Sequence, residues 1–234
     1  MMIGHEVQRQ WFMRICAQGT LRHAYIFEGD AHIGKGLFAR ALAHYLEYGV
    51  FEASSAPLLD CMECVPDEKG NIGIDTIRSI KKFIWQTPLR APRRIVICDD
   101  AHALTREAEV SLLKITEEPP AHGLFLFITH DAMTLTPTLR SRCMKIYFAR
   151  SSCAEIEKLL IEAYAMMSAH AKNIAMRASG SVGYAVMCAT QKERKEALSL
   201  TEEIMNRILE LRAENVMAHV SSIAKLLDRL RVAT

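Results

Sequence analysis

The sequence predicts an α/β protein with a parallel β-sheet, because strand-like and helix-like patterns alternate along residues 1–148. Four short apolar runs of strand length occupy residues 23–29, 94–99, 124–129 and 144–148. Nearly continuous apolar strands separated by helices are typical of a parallel sheet that is covered on both faces. After residue 148 the strand-like runs stop and only helical patterns follow. We therefore expect a parallel-sheet domain followed by smaller helical parts.

Several helices have recognisable boundaries. Residues 37–48 follow the first strand with helical spacing. Thr105 can cap a later helix through its side-chain oxygen, and Pro119 and Pro120 end that helix because proline cannot continue it. Ser152 and Glu155 have the spacing of a capping box and open another helix. The residues expected on the buried faces of these last two helices are Ala108, Leu112, Ile115, Ile156, Leu159 and Leu160.

The change of pattern near Ala149 predicts a division into three parts. Residues 1–148 are expected to form the α/β domain. Residues 149–192 are expected to form a small helical domain, with helical patterns around Ile174 and Tyr184. Residues 193–234 are expected to form a further helical segment, with helical spacing at 196–211 and 216–230.

Composition places the chain among ordinary globular proteins. Half of its residues are hydrophobic and 24% are charged, and the net charge of +2 argues neither for nor against a nucleic-acid partner. Residues 1–11 carry His5, Glu6 and Arg9 where a signal peptide would be apolar, and no apolar run approaches the length that spans a bilayer. The seven cysteines are scattered and show no disulfide framework. We expect a soluble cytoplasmic protein with reduced thiols.

A phosphate-binding motif follows the first strand. Gly29, Gly34 and Lys35 have the G-x-x-x-x-G-K spacing of a nucleotide P-loop, and a helix follows them. The glycines let backbone amides surround phosphate oxygens, and Lys35 supplies a positive charge at the N-terminus of the helix. Gly36 stands where the motif has a Ser or Thr hydroxyl for Mg²⁺, so this metal contact is lost. The alternative is an ordinary strand-to-helix turn that contains two glycines and a lysine.

A pair of carboxylates follows the second apolar run. Asp99 has the place of the carboxylate that holds Mg²⁺, and Asp100 the place of a residue that orients the attacking water. Hydrolysing enzymes of this kind carry glutamate at the second position, and aspartate is one methylene shorter. The alternative is that both carboxylates only cap the following turn. Two separate defects therefore indicate a site that is poorly built for hydrolysis, with ATP or ADP and Mg²⁺ as its candidate ligands.

Two other clusters have ordinary structural explanations. Cys61 and Cys64 have C-x-x-C spacing, but no further cysteine is near to complete a four-ligand zinc site, so no metal is expected. The cluster of Arg90, Arg93 and Arg94 around Pro92 could contact DNA phosphates, but a solvated loop is the simpler expectation.

Taken in order, the motifs resemble those of the AAA+ subunits of bacterial clamp loaders. The resemblance covers about the first 190 residues and implies the AAA+ fold with a helical lid at 149–192 and the start of a helical collar at 193–234. It also places the second strand of that fold at Cys61 and Cys64. The segments that carry the resemblance are residues 3–6, 23–29, the P-loop at 29–36, residues 74–78, 95–102, 112–120 and 141–143.

The resemblance also implies roles for single residues. Arg142, in Ser141-Arg142-Cys143, matches the arginine finger that is offered in trans to the ATP of a neighbouring subunit, where it neutralises charge on the transferred phosphoryl group. Thr129 and His130 match the sensor segment beside the γ-phosphate, although histidine departs from the usual pattern there. Gly183 stands where motor subunits have a lid arginine.

A subunit that retains Arg142 but lacks three features of its own site is similar to the delta-prime type. That type implies a stator without ATPase activity in a DNA-directed DNA polymerase III holoenzyme. Its implied partners are the motor subunits and the delta subunit of a heteropentamer, the sliding clamp, and primer–template DNA. One alternative is an active motor subunit of the gamma/tau type. Another is a P-loop kinase or nucleotide-binding scaffold outside replication.

Overall fold

Five parallel strands form a single sheet in the computed structural model, which describes residues 4–53 and 56–190. The strands are β1 (Ala24–Glu28), β2 (Cys61–Cys64), β3 (Arg94–Cys98), β4 (Gly123–Thr129) and β5 (Met144–Tyr147). Their order in the sheet is β2-β3-β4-β1-β5, and every neighbouring pair is parallel. This confirms the predicted fold class, the four strands at the apolar runs, and the second strand at Cys61 and Cys64.

Alternate residues of the central strands face two apolar layers, as the period of two in a β-strand requires. Ile26, Val96 and Phe125 face one layer, which contains α3 (Ile74–Ile84) and α4 (Arg106–Glu117). Phe27, Ile97 and Leu126 face the other layer, which contains α1 (Glu6–Ala17) and α2 (Lys35–Tyr48). Because both faces are covered, the central strands carry no polar alternation, which is why their runs were readable as strands.

The predicted helix boundaries of α4 and of α6 (Cys153–Tyr164) are confirmed. The Thr105 side chain accepts a hydrogen bond from the Ala108 N–H, and α4 ends just before Pro119. Ser152 and Glu155 form both halves of the predicted capping box at the start of α6. Ala108, Leu112, Ile115, Ile156, Leu159 and Leu160 are all buried, as predicted.

Three helices with their own apolar cluster follow the sheet. They are α6, α7 (Ser168–Ala178) and α8 (Val182–Thr190), which confirm the helical patterns around Ile174 and Tyr184. The division of the chain at residues 148 and 192 stays a prediction. The helical patterns at 196–211 and 216–230 lie outside the described residues. Across the described ranges, none of the helices is both long and apolar enough to cross a membrane.

Candidate functional site

One cleft of about 920 Å³ gathers most of the predicted nucleotide site. It lies where β1, β3 and β4 end, which is the place where open parallel sheets bind ligands. Tyr164 of α6 and Val186 of α8 also line it, so the helices after the sheet (the predicted lid) contribute to the cleft. The predicted site residues that line it are Gly34, Lys35, Gly36, Asp99, Asp100 and Thr129.

The carbonyls of the loop after β1 are occupied by protein donors. The Lys35 Nζ donates to the Gly29 oxygen at 2.6 Å and to the Asp30 oxygen at 2.5 Å. The His5 Nε2 lies 2.9 Å from the Ile33 oxygen. Within the described part of the chain, no hydrogen bond uses the backbone N–H groups of residues 31–36. Successive unpaired amides at a helix start are an arrangement that fits a phosphate group, and the binding itself stays a prediction.

Gly29 shapes this loop from behind the cleft. Its φ of +150° is a conformation that side chains rarely adopt, and a Cβ there would collide with the Phe148 carbonyl. Gly29 therefore serves the turn, and it does not line the cleft.

Lys35 is buried, with 7% of its surface exposed. Burial lowers the pKa of its ammonium group, although Asp99, Asp30 and Asp100 act in the opposite direction. The two carbonyls accept two of the three ammonium N–H donors inside its own loop, which leaves one donor for a bound phosphate.

Gly36 faces Asp99 directly. A Cβ built on Gly36 would lie 3.2 Å from the Asp99 Oδ2, so a serine hydroxyl there would reach the carboxylate expected to hold Mg²⁺. Burial raises the pKa of Asp99, and the nearby Asp100 carboxylate adds to this. The residues present thus fit a nucleotide phosphate group, and Asp99 is the carboxylate that would hold Mg²⁺ beside it. Mg²⁺, when bound, would neutralise phosphate charge at that carboxylate.

The two predicted sensor residues, Thr129 and His130, differ in their contacts. The buried Thr129 donates its hydroxyl to the Asp131 oxygen at 3.0 Å, so that hydroxyl is turned into its own loop. His130 stacks edge-on against His102, with ring centroids 4.5 Å apart. Both rings line the cleft, and no pattern in the sequence predicts that they pair.

The lid contacts the P-loop directly. The His32 oxygen accepts hydrogen bonds from the Gly183 N–H at 2.7 Å and from the Ser181 Oγ at 3.3 Å. A Cβ on Gly183 would lie 2.8 Å from that oxygen. Arg150 joins the same two parts, because its Nε lies 2.6 Å from Asp30 Oδ2 and its Nη1 donates to the Ser179 oxygen at 3.0 Å. Sequence analysis missed Arg150, since nothing local marks an isolated arginine as a bridge.

Arg142 lies outside the cleft, at the end of the short helix α5 (Pro137–Arg142). Its Nη1 donates to the Thr138 oxygen at 2.7 Å, and its Nη2 lies 3.1 Å from Glu117 Oε1. Its side chain is 27% exposed. The structure therefore does not bring Arg142 together with the other predicted site residues.

The Cys61-x-x-Cys64 segment lies within the sheet. Burial raises the pKa of Cys64 to about 11, raises that of Cys61 further, and raises that of the adjacent Cys98 as well. These thiols are therefore held neutral, which disfavours both nucleophilic and metal-binding roles. Among the described residues, no group of three or more His, Cys, Asp or Glu side chains could hold a metal ion.

Arg94 corrects the expectation of a solvated arginine cluster around Pro92. It is 5% exposed and lies 3.1 Å from the fully buried Asp60. Arg94 also donates to the oxygens of Gln86, Thr87 and Leu59. The cluster was misjudged at this position because a buried arginine and a solvated arginine look alike in a sequence.

Comparison with known proteins adds a family assignment. The family model described as "DNA polymerase III, delta subunit" matches residues 4–152 of the chain. The chain belongs to this family. The gamma/tau subunit of DNA polymerase III from Mycobacterium tuberculosis is 34% identical over 138 residues, which are 53% of this chain and 24% of that protein. The tau subunit from Escherichia coli is 28% identical over 204 residues, which are 79% of this chain and 29% of that protein.

The chain is also similar to solved structures. A DNA polymerase III gamma subunit-related protein of Thermotoga maritima has a TM-score of 0.51 and 20% identity, covering 94% of this chain and 91% of that chain. The RuvB Holliday junction branch migration motor of Thermotoga maritima has a TM-score of 0.58 and 15% identity, covering 97% of this chain and 69% of that chain. At these identities the likeness shows the fold alone, which is the predicted AAA+ P-loop fold.

Proposed function

We propose that this chain is a delta-prime-type stator of a cytoplasmic DNA polymerase III clamp loader. In this role it donates Arg142 to the ATP site of a neighbouring motor subunit and does not hydrolyse ATP itself. Its partners would be the motor subunits and a delta subunit in a heteropentamer, the sliding clamp, and primer–template DNA. Its own cleft would hold ATP or ADP with Mg²⁺ only as a weak ligand.

The contact between Gly183 and His32 is the observation that supports this most directly. Motor subunits of the family place an arginine at the position of Gly183, and here a Cβ would already lie 2.8 Å from the His32 oxygen. The lid in this arrangement has no room for the side chain that would reach the phosphates. Gly36 and Asp100 also support the absence of hydrolysis. Gly36 lacks the hydroxyl that would bind Mg²⁺, and Asp100 has a shorter side chain than glutamate.

The position of Arg142 supports the trans role. The guanidinium group lies on a helix end outside its own cleft, so it cannot serve a nucleotide bound there without a large rearrangement. An arginine that acts on a neighbour's nucleotide needs such an external position.

Steady-state ATP turnover by the purified chain tests the absence of hydrolysis. We expect no turnover with Mg²⁺, with or without primed DNA and sliding clamp. The matched variant is Lys35→Ala, which should leave this baseline unchanged. Turnover that Lys35→Ala abolishes would contradict the stator proposal.

The assembled loader tests the arginine finger. We expect Arg142→Ala to lower ATP turnover by at least about tenfold, because arginine fingers in other phosphoryl-transfer systems contribute on the order of 10³-fold or more. Arg142→Lys should not restore the rate, because lysine lacks the planar fork that binds two phosphate oxygens. The control is Arg140→Ala, which removes an arginine from the same helix. Unchanged turnover by the Arg142→Ala loader would exclude the trans role.

A second candidate function is an active motor subunit. The matched relatives named gamma, tau or gamma/tau favour it, as does the presence of both Lys35 and Asp99 in one cleft. The turnover measurement separates the two candidates. Family membership favours either of them over a P-loop kinase or an unrelated scaffold.

A further inference from the structure

Glu117 is the only carboxylate that the described structure shows paired with Arg142. It belongs to the Glu117-Glu118-Pro119-Pro120 segment that ends α4. The two prolines prevent the helix from continuing, so Glu117 is the last residue of α4 and its backbone is fixed in the last turn. Its side chain is 61% exposed, and its Oε1 lies 3.1 Å from Arg142 Nη2.

Helix α4 holds α5 at both ends. At the start of α5, the buried Glu109 accepts a hydrogen bond from the Thr136 N–H at 3.2 Å. At the other end, Glu117 pairs with Arg142. Glu109 and Glu117 are separated by about 12 Å along an α-helix. Between them, the fully buried Leu139 of α5 packs into the same apolar cluster as Leu112 of α4. The short helix that carries Arg142 therefore has a fixed position relative to Glu117.

The observed guanidinium group is retracted. Its Nη1 is bonded to the oxygen of Thr138, one turn back on the same helix, and its Nη2 is paired with Glu117. Both terminal nitrogens that would bind phosphate oxygens are thus engaged within this subunit. Extending the side chain toward a neighbour requires that Arg142 exchange the Glu117 carboxylate for a phosphate.

We propose that Glu117 is a positioning residue that keeps Arg142 retracted until a neighbouring subunit offers a bound nucleotide. This inference rests on the proposed trans role of Arg142. The exchange replaces one anion by another of higher charge, so the restraint is overcome by the nucleotide itself. Because the Glu117 side chain is exposed and Arg142 is partly exposed, the restraint is weak enough to be reversible.

The isolated chain provides the first test. The rate at which phenylglyoxal modifies Arg142 is measured by mass spectrometry for the wild type, Glu117→Gln and Glu118→Gln. We expect Glu117→Gln to raise this rate about two- to fivefold, as for the loss of an exposed ion pair. Glu118→Gln changes the adjacent exposed carboxylate and should leave the rate unchanged. Glu117→Ala also removes the acceptor oxygen and should raise the rate at least as much.

The assembled loader provides the second test. At ATP concentrations below KM, we expect Glu117→Gln to raise turnover about two- to fivefold, in line with the loss of one weak ion pair. The rate at saturating ATP should change less than about twofold, because the finger engages fully once nucleotide is bound. The double variant Glu117→Gln with Arg142→Ala should show no rise in turnover, because the gain acts through Arg142. A rise caused by a general effect on stability would persist in the double variant.

The two proposals can fail separately. If Arg142→Ala lowers loader turnover but Glu117→Gln changes neither the labelling rate nor turnover at low ATP, the role of Glu117 is wrong and the trans role stands. Slower labelling or lower turnover in Glu117→Gln would also overturn the inference. If Arg142→Ala leaves turnover unchanged, the proposed function falls, and the role of Glu117 falls with it.

Discussion

At the scale of single residues, the buried pair of Asp60 and Arg94 constrains the described structure. The Asp60 carboxylate accepts hydrogen bonds from the N–H groups of Leu89, Arg90 and Ala91 at 2.6–2.8 Å. Burial acts to raise the pKa of Asp60, but these three donors and Arg94 outweigh it, so the pKa lies below its ordinary value. The pair therefore anchors the loop that leads into β3.

We expect Asp60→Asn to lower the free energy of unfolding by about 3 kcal/mol, because it leaves the buried Arg94 without its anion. Urea denaturation at pH 7 measures this. The control is Asp75→Asn, which breaks an exposed ion pair with Arg78 and should cost less than about 1 kcal/mol. Equal losses in the two variants would show that the buried pair contributes nothing special.

The same pair predicts that the free energy of unfolding depends on pH. The folded-state pKa of Asp60 is lowered, so its contribution is fully present above the unfolded value of about 3.9 and is lost as pH falls through the folded value. The difference in unfolding free energy between the wild type and Asp60→Asn should be constant from about pH 7 to 5 and should shrink below about pH 4. A difference that grows as pH falls would contradict this sign.

At the scale of elements, α6 depends on its first turn. The Ser152 side chain accepts a hydrogen bond from the Glu155 N–H, and the Glu155 carboxylate accepts from the Ser152 N–H. That second bond is the main reason why the pKa of Glu155 lies below its ordinary value. Because α6 supplies Ile156, Leu159 and Leu160 to the lid cluster, the cap helps to hold the lid together.

We expect Ser152→Ala to lower the stability of the lid by about 1 kcal/mol, the usual cost of losing a cap. Hydrogen exchange of the α6 amides should accelerate while exchange in the central strands stays unchanged. The neighbouring exposed Cys153→Ala is the control and should not accelerate exchange. If amide exchange accelerated equally in β1 and β4, the cap would stabilise the whole molecule and not α6 alone.

At the scale of the whole molecule, direct protein contacts join the P-loop to the helices that follow the sheet. Arg150 bridges Asp30 and Ser179, and Gly183 and Ser181 both bond the His32 oxygen. These contacts hold the cleft between two cores that are otherwise separate.

We expect Gly183→Ser to lower the free energy of unfolding by about 1–3 kcal/mol, because its Cβ would overlap the His32 oxygen. The control is Gly73→Ser at the start of α3, where an added Cβ meets nothing within 4 Å and serine is a good cap. Chemical denaturation compares the two variants. A Gly183→Ser protein as stable as Gly73→Ser would show that the lid can move away from the P-loop without cost.

Local patterns determined much of this protein. The strands were readable because a strand buried on both faces needs a continuous apolar run, as in residues 124–129. The caps at Thr105 and Ser152 were readable because a cap joins residues only three positions apart. The P-loop spacing was readable for a similar reason, since Gly29, Gly34 and Lys35 lie within seven residues of one another.

The tertiary structure alone decided the contacts between distant residues. Asp30 and Arg150 are 120 positions apart, and no pattern in the sequence distinguishes their ion pair from two solvated charges. The same holds for Arg94, whose burial depends on an acid in a different loop, and for Arg142, whose partner Glu117 is brought near by the packing of α4 on α5. A charged side chain can lie in water or in a matched buried pair, and the residue type is the same in both, so only the fold reveals which environment each charge occupies.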